Sequence, residues 1–364
     1  MPKCDFLIVA GGTGGHVFPA LSVALKLRYI GYRITWLGQA NSLEEKVAHE
    51  NKINFIASSS PRWHSSSLIA KLFVFLPLLK ACQRSWGLLQ DINPKVIIGF
   101  GGHVTVPIGI VGFLQKRQLL IHEQNVIPGK ANKLLSFLAN KVMVGMPTIF
   151  GGSKAIYVGN PVRSEIEDAA KQAKTKELST PMKVLILGGS KGSASMNKIV
   201  VEAFKNIGQD FSIWHQTGKQ NIAEIKALYQ DLHKDFYVEE FIEDMAKAYE
   251  WADIVITRAG AITLAELLAF KKPSILIPNP RCANNHQVQN AFYLVEEQVA
   301  SCFLENSPNV ALEIAGKLMY WLANPQEYYQ TCKKIADLYI ADSADNIVNI
   351  CVKEYEGDVV EVCD

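Results

Sequence analysis

His16 ends the run Gly11-Gly12-Thr13-Gly14-Gly15-His16, directly after the apolar stretch Phe6–Ala10. A glycine turn at a helix start presents backbone N–H groups, and with them positive potential, to an anion. An imidazole at the edge of that turn takes a proton near pH 7. The device recurs 177 residues on (182 − 5), in MKVLILGGSKGS, Met182–Ser193. One such turn reads equally well as a tight strand-to-helix connection. Two, joined by the pair Gly101-Gly102, point to a cleft that handles phosphate.

The NAD fingerprint G-x-G-x-x-G is not met, because Gly12-Thr13-Gly14-Gly15-His16-Val17 lacks its third glycine. The P-loop pattern fails too, since Lys191 precedes Gly192. No D-x-D follows a strand, so no site for a metal-bound nucleotide diphosphate is indicated. What remains is a nucleotide held by helix dipoles and side chains, without metal.

These residues require a frame. A chain of 364 residues is comfortable as two domains. Apolar runs at Phe6–Ala10, Arg33–Leu37, Val96–Gly99, Leu119–His122 and Lys141–Val144 alternate with helix-like segments, such as Ala20–Tyr29 stopped by Gly31. The pattern restarts at Met182 with Val184–Leu187, Phe211–His215, Phe236–Val238, Ile254–Thr257, Ser274–Ile277 and a weaker Ala300–Phe303. Such alternation predicts parallel sheets covered on both faces, hence two doubly wound, Rossmann-like domains facing a cleft. Ser164–Thr180 reads as a surface helix or linker, and beyond Asn324 the chain reads as helix only. A net charge of +2 argues against a nucleic-acid binder. Seven scattered cysteines with no C-x-x-C pair read as free thiols of a reducing compartment. The first apolar run enters a glycine turn and is a strand, not a signal peptide. No run is long enough to span a bilayer.

Seven stretches, in order, carry a resemblance: Gly11–His16 (GGTGGH), His122–Asn125 (HEQN), Gly159–Arg163 (GNPVR), Gly188–Gly192 (GGSKG), Phe241–Met245 (FIEDM), Arg258–Glu266 (RAGAITLAE) and Asn285–Asn290 (NHQVQN). Over nearly its whole length the chain resembles the bacterial UDP-N-acetylglucosamine–N-acetylmuramyl-(pentapeptide) pyrophosphoryl-undecaprenol N-acetylglucosaminyltransferases, the MurG family. The resemblance implies a GT-B glycosyltransferase that moves GlcNAc from UDP-GlcNAc to the 4-hydroxyl of lipid-linked MurNAc (lipid I), with inversion, to give lipid II. It implies an acceptor domain over 1–162, completed by a C-terminal helix near 341–356, and a donor domain over 163–340. UDP-GlcNAc is then a substrate, and no cofactor or metal is expected.

The resemblance also distributes roles. His16 is the expected base and Glu123 its runner-up. Thr13, Gly14, Gly15, Asn125, Arg163, Ser190, Ile242, Ala261, Ile262, Thr263, Leu264, Ala265, Glu266, Gln287 and Asn290 are expected on the donor. Glu266, one turn into a helix, suits the two ribose hydroxyls; Ser190 suits the diphosphate; the backbone at Ile242 suits uracil. Gln287 and Asn290, three apart on one helical face, are expected to reach the sugar. Arg163 suits a phosphate contact. Gly101, Gly102, His103, His122 and Asn132 are expected at the acceptor; the alternative for His122 and Glu123 is polar support behind the contacting residues. His103 stands where the family commonly has an aromatic such as Tyr, which replaces a phenol by a second imidazole.

Ser67–Trp86 is apolar from Leu68 to Leu79 except for Lys71, and Lys80 and Arg84 follow. A basic-flanked apolar helix lies in a membrane interface and attracts anionic headgroups. Leu72, Phe73, Phe75, Leu79, Lys80 and Trp86 are the expected patch, extended by Trp63 and Phe113–Arg117; a core helix is the alternative. The expected place is the cytoplasmic face of the bacterial inner membrane, bound peripherally, with further cell-wall synthesis proteins as partners and no nucleic acid. A UDP-GlcNAc 2-epimerase, a diacylglycerol-using glycolipid synthase and a non-catalytic nucleotide-sugar sensor stay open at this point.

Overall fold

The computed structural model describes residues 2–58, 68–173, 177–189, 192–207, 211–232, 235–282 and 285–357, with backbone alone for 68–75. The chain divides into two compact units, Met1–Arg163 with Asp342–Asp364, and Ser164–Ala341.

The first unit runs β1 (Phe6–Ala10), α1 (Gly14–Tyr29), β2 (Ile34–Gln39), α2 (Leu43–Glu50), β3 (Asn54–Ser58), α3 (Leu68–Ile92), β4 (Val96–Gly101), α4 (Thr105–Leu114), β5 (Gln118–Glu123), α5 (Lys130–Leu135), β6 (Lys141–Val144) and β7 (Ala155–Tyr157). Its seven strands are all parallel, in the order β3-β2-β1-β4-β5-β6-β7. Strand residues alternate between the faces. Phe6, Ile8 and Ala10 join one buried cluster, while Leu7 and Val9 join the other. Both faces are thus apolar, which is why β1 reads as an unbroken hydrophobic run.

The second unit begins with α6 (Ser164–Gln172), where the sequence left helix or linker open. Then follow β8 (Met182–Leu187), α7 (Ala194–Lys205), β9 (Phe211–Gln216), α8 (Ile222–Gln230), β10 (Asp235–Glu239), α9 (Met245–Trp251), β11 (Ile254–Thr257), α10 (Ala261–Ala269), β12 (Ser274–Leu276), α11 (His286–Glu296), β13 (Ala300–Cys302), α12 (Val310–Ala323) and α13 (Pro325–Leu338). Its parallel order is β10-β9-β8-β11-β12-β13.

The last helix, α14 (Ser343–Glu356), returns to the first unit. Ile347, Val348 and Cys351 enter the cluster that holds β1, and Lys26 of α1 pairs with Asp345 at 2.6 Å. Tyr355 packs on Phe6 and Tyr32, with ring centroids 5.2 and 5.0 Å apart.

Two strands escape the sequence reading, β3 and β7, and both are sheet edges. None of their described residues is fully buried, and their apolar stretches, Phe55–Ala57 and Ala155–Val158, are short. In each unit the chain winds out to one edge and restarts on the other side of its first strand. The reversals fall between β1 and β4, and between β8 and β11. Ligands of doubly wound sheets bind at such switch points, outside the carboxyl ends of the strands.

Candidate active site

Both glycine turns sit at these reversals. In the first unit, the loop after β1 meets the loop after β4. Gly101 and Gly102 take φ of +108° and +89°, which favour glycine. A Cβ on Gly102 would overlap the Gly11 carbonyl oxygen, and one on Gly101 would lie 3.1 Å from the His16 ring. The glycines let the two loops and the imidazole share one small space.

His16 Nδ1 lies 3.1 Å from the Gly11 carbonyl oxygen. A carbonyl only accepts, so Nδ1 carries the hydrogen and Nε2 is the basic nitrogen. Nε2 is the ring edge turned to Gly101. Thr13 caps α1 in extended conformation without a side-chain bond, and no acid lies in the first turn. The helix start therefore keeps its positive character for an incoming anion. Two residues absent from the sequence reading brace this turn. Trp36 Nε1 donates to the Ala10 carbonyl at 3.3 Å, and the buried Glu44 carboxylate packs under Gly11 while accepting from Gln39 N at 3.1 Å.

The HEQN stretch ends β5. Glu123 is buried and accepts four hydrogen bonds: from Asn125 N and Nδ2 at 3.0 and 3.1 Å on Oε1, and from Gly129 N and Asn132 Nδ2, both 2.9 Å, on Oε2. Four donors fill a carboxylate's acceptor sites. The carboxylate thereby organises the loop from Asn125 to Asn132. Asn125 correspondingly turns its amide inward. His122 is fully buried, with Nε2 3.2 Å from the Gly159 carbonyl and Nδ1 3.1 Å from Gln124 Nε2. Burial pushes its pKa down to about 4, so it is neutral at pH 7. Asn132 is buried as well and braces Glu123. His103 lies half-buried just before α4, and Arg163 stacks its guanidinium over Phe18 at 5.8 Å.

In the second unit, Gly192 takes φ +72°, and a Cβ there would overlap the Thr217 carbonyl oxygen. Ser190 lies outside the described residues. Gln216, unforeseen in the sequence, is the clamp: its Nε2 donates to the Gly189 carbonyl at 3.1 Å and its Oε1 accepts from Ile242 N at 2.8 Å. The Ile242 N–H is thus occupied. Arg258 pairs with Glu305 at 2.6 Å, donates to Ser193 Oγ, and donates to the carbonyls of Ile277 and Pro278 at 2.9 and 3.2 Å. It ties the ends of β11 and β12 to the start of α7.

Glu266 is buried on α10, and Tyr249 Oη donates to its Oε2 at 2.8 Å. Tyr249 was not foreseen either, and no local pattern marks it. Gly260 caps α10, with Ala261 buried and Ile262 and Thr263 half-buried. Leu264 is fully buried and spends its N–H on the Gly260 carbonyl at 3.0 Å. Ala265 is buried as well. Asn290 is fully buried and donates to the Ala259 carbonyl at 3.2 Å, fastening α11 to the β11–α10 loop. Gln287 accepts from Asn279 N at 2.8 Å through Oε1.

On α3 the buried residues Ala81, Leu89 and Ile92 face the core, while Leu79 (48 % exposed), Lys80 and Trp86 (42 %) face outward. Leu76 joins them, as do Phe113 and Leu114 of the neighbouring α4. Trp63 and the side chains of Leu72, Phe73 and Phe75 lie outside the described residues. Among the described residues no helix is long and apolar enough to cross a membrane, and no three His, Cys, Asp or Glu side chains cluster to hold a metal ion.

Two doubly wound parallel sheets, each with a glycine turn at its switch point, define a GT-B glycosyltransferase. The family models agree: Glycosyltransferase family 28 N-terminal domain matches residues 6–144 and Glycosyltransferase family 28 C-terminal domain matches residues 183–347. The UDP-N-acetylglucosamine–N-acetylmuramyl-(pentapeptide) pyrophosphoryl-undecaprenol N-acetylglucosamine transferase of Shewanella frigidimarina is 38% identical, covering 95% of each chain. That of Shewanella piezotolerans is 36% identical over 354 residues, 95% of this chain and 96% of its own. The solved structure of MurG from Acinetobacter baumannii aligns with a TM-score of 0.80 at 28% identity, covering 97% of this chain and 100% of that one. The chain belongs to this family of N-acetylglucosamine transferases within glycosyltransferase family 28.

Proposed function

We propose that the protein transfers GlcNAc from UDP-GlcNAc to the MurNAc 4-hydroxyl of undecaprenyl-pyrophosphoryl-MurNAc-pentapeptide, forming lipid II with inversion at the anomeric carbon. The observation that carries the chemistry is the His16–Gly11 hydrogen bond, which makes Nε2 the basic nitrogen beside Gly101. His16 Nε2 takes the proton of the attacking hydroxyl. The hydroxyl oxygen bonds to the anomeric carbon as the bond to the diphosphate oxygen breaks, and the electron pair leaves with UDP. The N-terminus of α7, where Ser193 caps without a side-chain bond, stabilises the charge that develops on the diphosphate. Glu266, steadied by Tyr249, accepts from the ribose hydroxyls. No metal is required, since helix termini serve the diphosphate.

Leu76, Leu79, Trp86, Phe113 and Leu114, with Lys80, Arg84 and Lys116 among them, form the surface that meets an anionic membrane. An acceptor on an undecaprenyl chain stays in the bilayer, so the enzyme must come to it. The deciding experiment incubates the protein with UDP-GlcNAc and a lipid I analogue, with and without EDTA. The β-linked disaccharide product in both supports the reading. Free N-acetylmannosamine, or no turnover despite UDP-GlcNAc binding, replaces it with an epimerase or a sensor. Activity lost with EDTA and restored by magnesium refutes metal independence.

A further inference from the structure

The crossovers through α7 and α8 cover one face of the second sheet: Val184, Ile186, Ile213 and Val238 point into the cluster that includes Met196, Val200 and Ile225. The opposite face carries Lys183 on β8, Trp214 on β9, and Asp235, Tyr237 and Glu239 on β10. The short α9 crosses there and packs on β8. Next to the edge strand β10 this leaves a groove of about 680 Å³.

Its walls are aromatic. Trp214 and Tyr237 are register partners with ring centroids 5.8 Å apart at 62°, and Trp251 stands 5.5 Å from Trp214 at 84°. Tyr237 is 60 % exposed. The rim is acidic: Asp235, Glu239, Glu243 and Asp244 line the groove against the single described cation Lys247. Two of the acids are held in place, Glu239 by Trp214 Nε1 at 2.8 Å and Asp235 by Ser212 Oγ at 2.8 Å. Lys183 Nζ already sits 5.9 Å from the Trp251 ring centre.

We propose that this groove docks a basic, extended segment of a partner protein, whose arginine or lysine side chain lies against the exposed Tyr237 ring among the carboxylates while its backbone lies along β10. An exposed aromatic face with carboxylates around it suits a cation through both quadrupole and charge. An edge strand with one unpaired side accepts an added strand. Ile242 closes one end of the groove, and Trp214 and Tyr237 are the middle pair of the β9–β10 register.

The probe is a seven-residue peptide alternating Arg with Thr or Val, with a Glu-for-Arg counterpart as control. Titration into the full chain at low salt is followed by tryptophan fluorescence, with UDP-GlcNAc affinity measured on the same samples. Saturable binding of the Arg peptide is expected, weaker by at least about tenfold for the Glu peptide and in Tyr237→Ser and Asp235→Asn, with UDP-GlcNAc affinity unchanged. Equal binding of the two peptides, or no effect of the variants, overturns the proposal. Loss of UDP-GlcNAc affinity in Tyr237→Ser assigns the groove to the nucleotide instead. Self-association of the wild type that Tyr237→Ser abolishes assigns it to a second copy of the chain.

Discussion

The amide nitrogen of Asn132 donates to the Glu123 carboxylate at 2.9 Å and to the His122 carbonyl at 3.0 Å. One side chain of α5 thereby locks two consecutive residues at the carboxyl end of β5. Glu123 in turn gathers the N–H groups of Asn125 and Gly129. The HEQN stretch is a turn organised around a buried charge, and its geometry sets the wall opposite the His16 turn within the first unit.

Glu123→Gln replaces an acceptor by a donor among four donors. We expect a stability loss of about 1.5–3 kcal/mol, since hydrogen bonds to a charged group are involved. Turnover falls as the loop relaxes, but the acid limb of the pH–rate profile keeps its midpoint. A shifted or missing acid limb in the variant would return Glu123 to the role of base.

His16→Ala depresses kcat by roughly 10²–10⁴ while leaving UDP-GlcNAc affinity near that of the wild type, because a general base acts in the transition state. Steady-state kinetics with calorimetry on the donor separates the two. Near-normal turnover moves the proton transfer to His103.

Glu266→Ala raises the Michaelis constant for UDP-GlcNAc more than that for the acceptor, by an equivalent of about 1.5–3 kcal/mol. Tyr249→Phe, which removes only the 2.8 Å bond to Oε2, gives a smaller shift in the same direction. Donor affinity untouched in both variants refutes the ribose role.

Leu79→Ser combined with Trp86→Ser weakens sedimentation with anionic vesicles at low salt, because both side chains leave the surface while the buried residues of α3 stay. UDP-GlcNAc binding serves as the control for folding. Wild-type protein that ignores such vesicles removes the membrane role.

Stability falls on acidification through two buried imidazoles. Burial pushes His122 down to about 4 and His215, held between Tyr229 and Asn197, down to about 3. Both folded values lie below the ordinary 6.5, so the unfolded chain binds more protons between them. The stabilisation is full above pH 6.5 and is lost progressively as pH falls toward 4, by on the order of 3 kcal/mol for each site. Urea unfolding at pH 7.5 and pH 5 measures this, and His215→Gln flattens the dependence. An unchanged slope in that variant contradicts the assignment.

The sequence by itself determined the two sheets, the glycine turns and the family. These are local features: an apolar run both forms and buries a central strand, and a glycine turn must follow it directly. Edge strands β3 and β7 stayed hidden because their apolar stretches, Phe55–Ala57 and Ala155–Val158, are too short to be told from loop. Motif membership likewise could not separate contact from support. Glu123, Asn290 and Leu264 stand in stretches as distinctive as that of His16. Their fates depend on Asn132, Ala259 and the core around α10, which are partners that only the folded chain brings near. Tertiary structure decided which members of each motif turn inward, because a buried polar group must be paired and the pairing partner is rarely its neighbour in sequence.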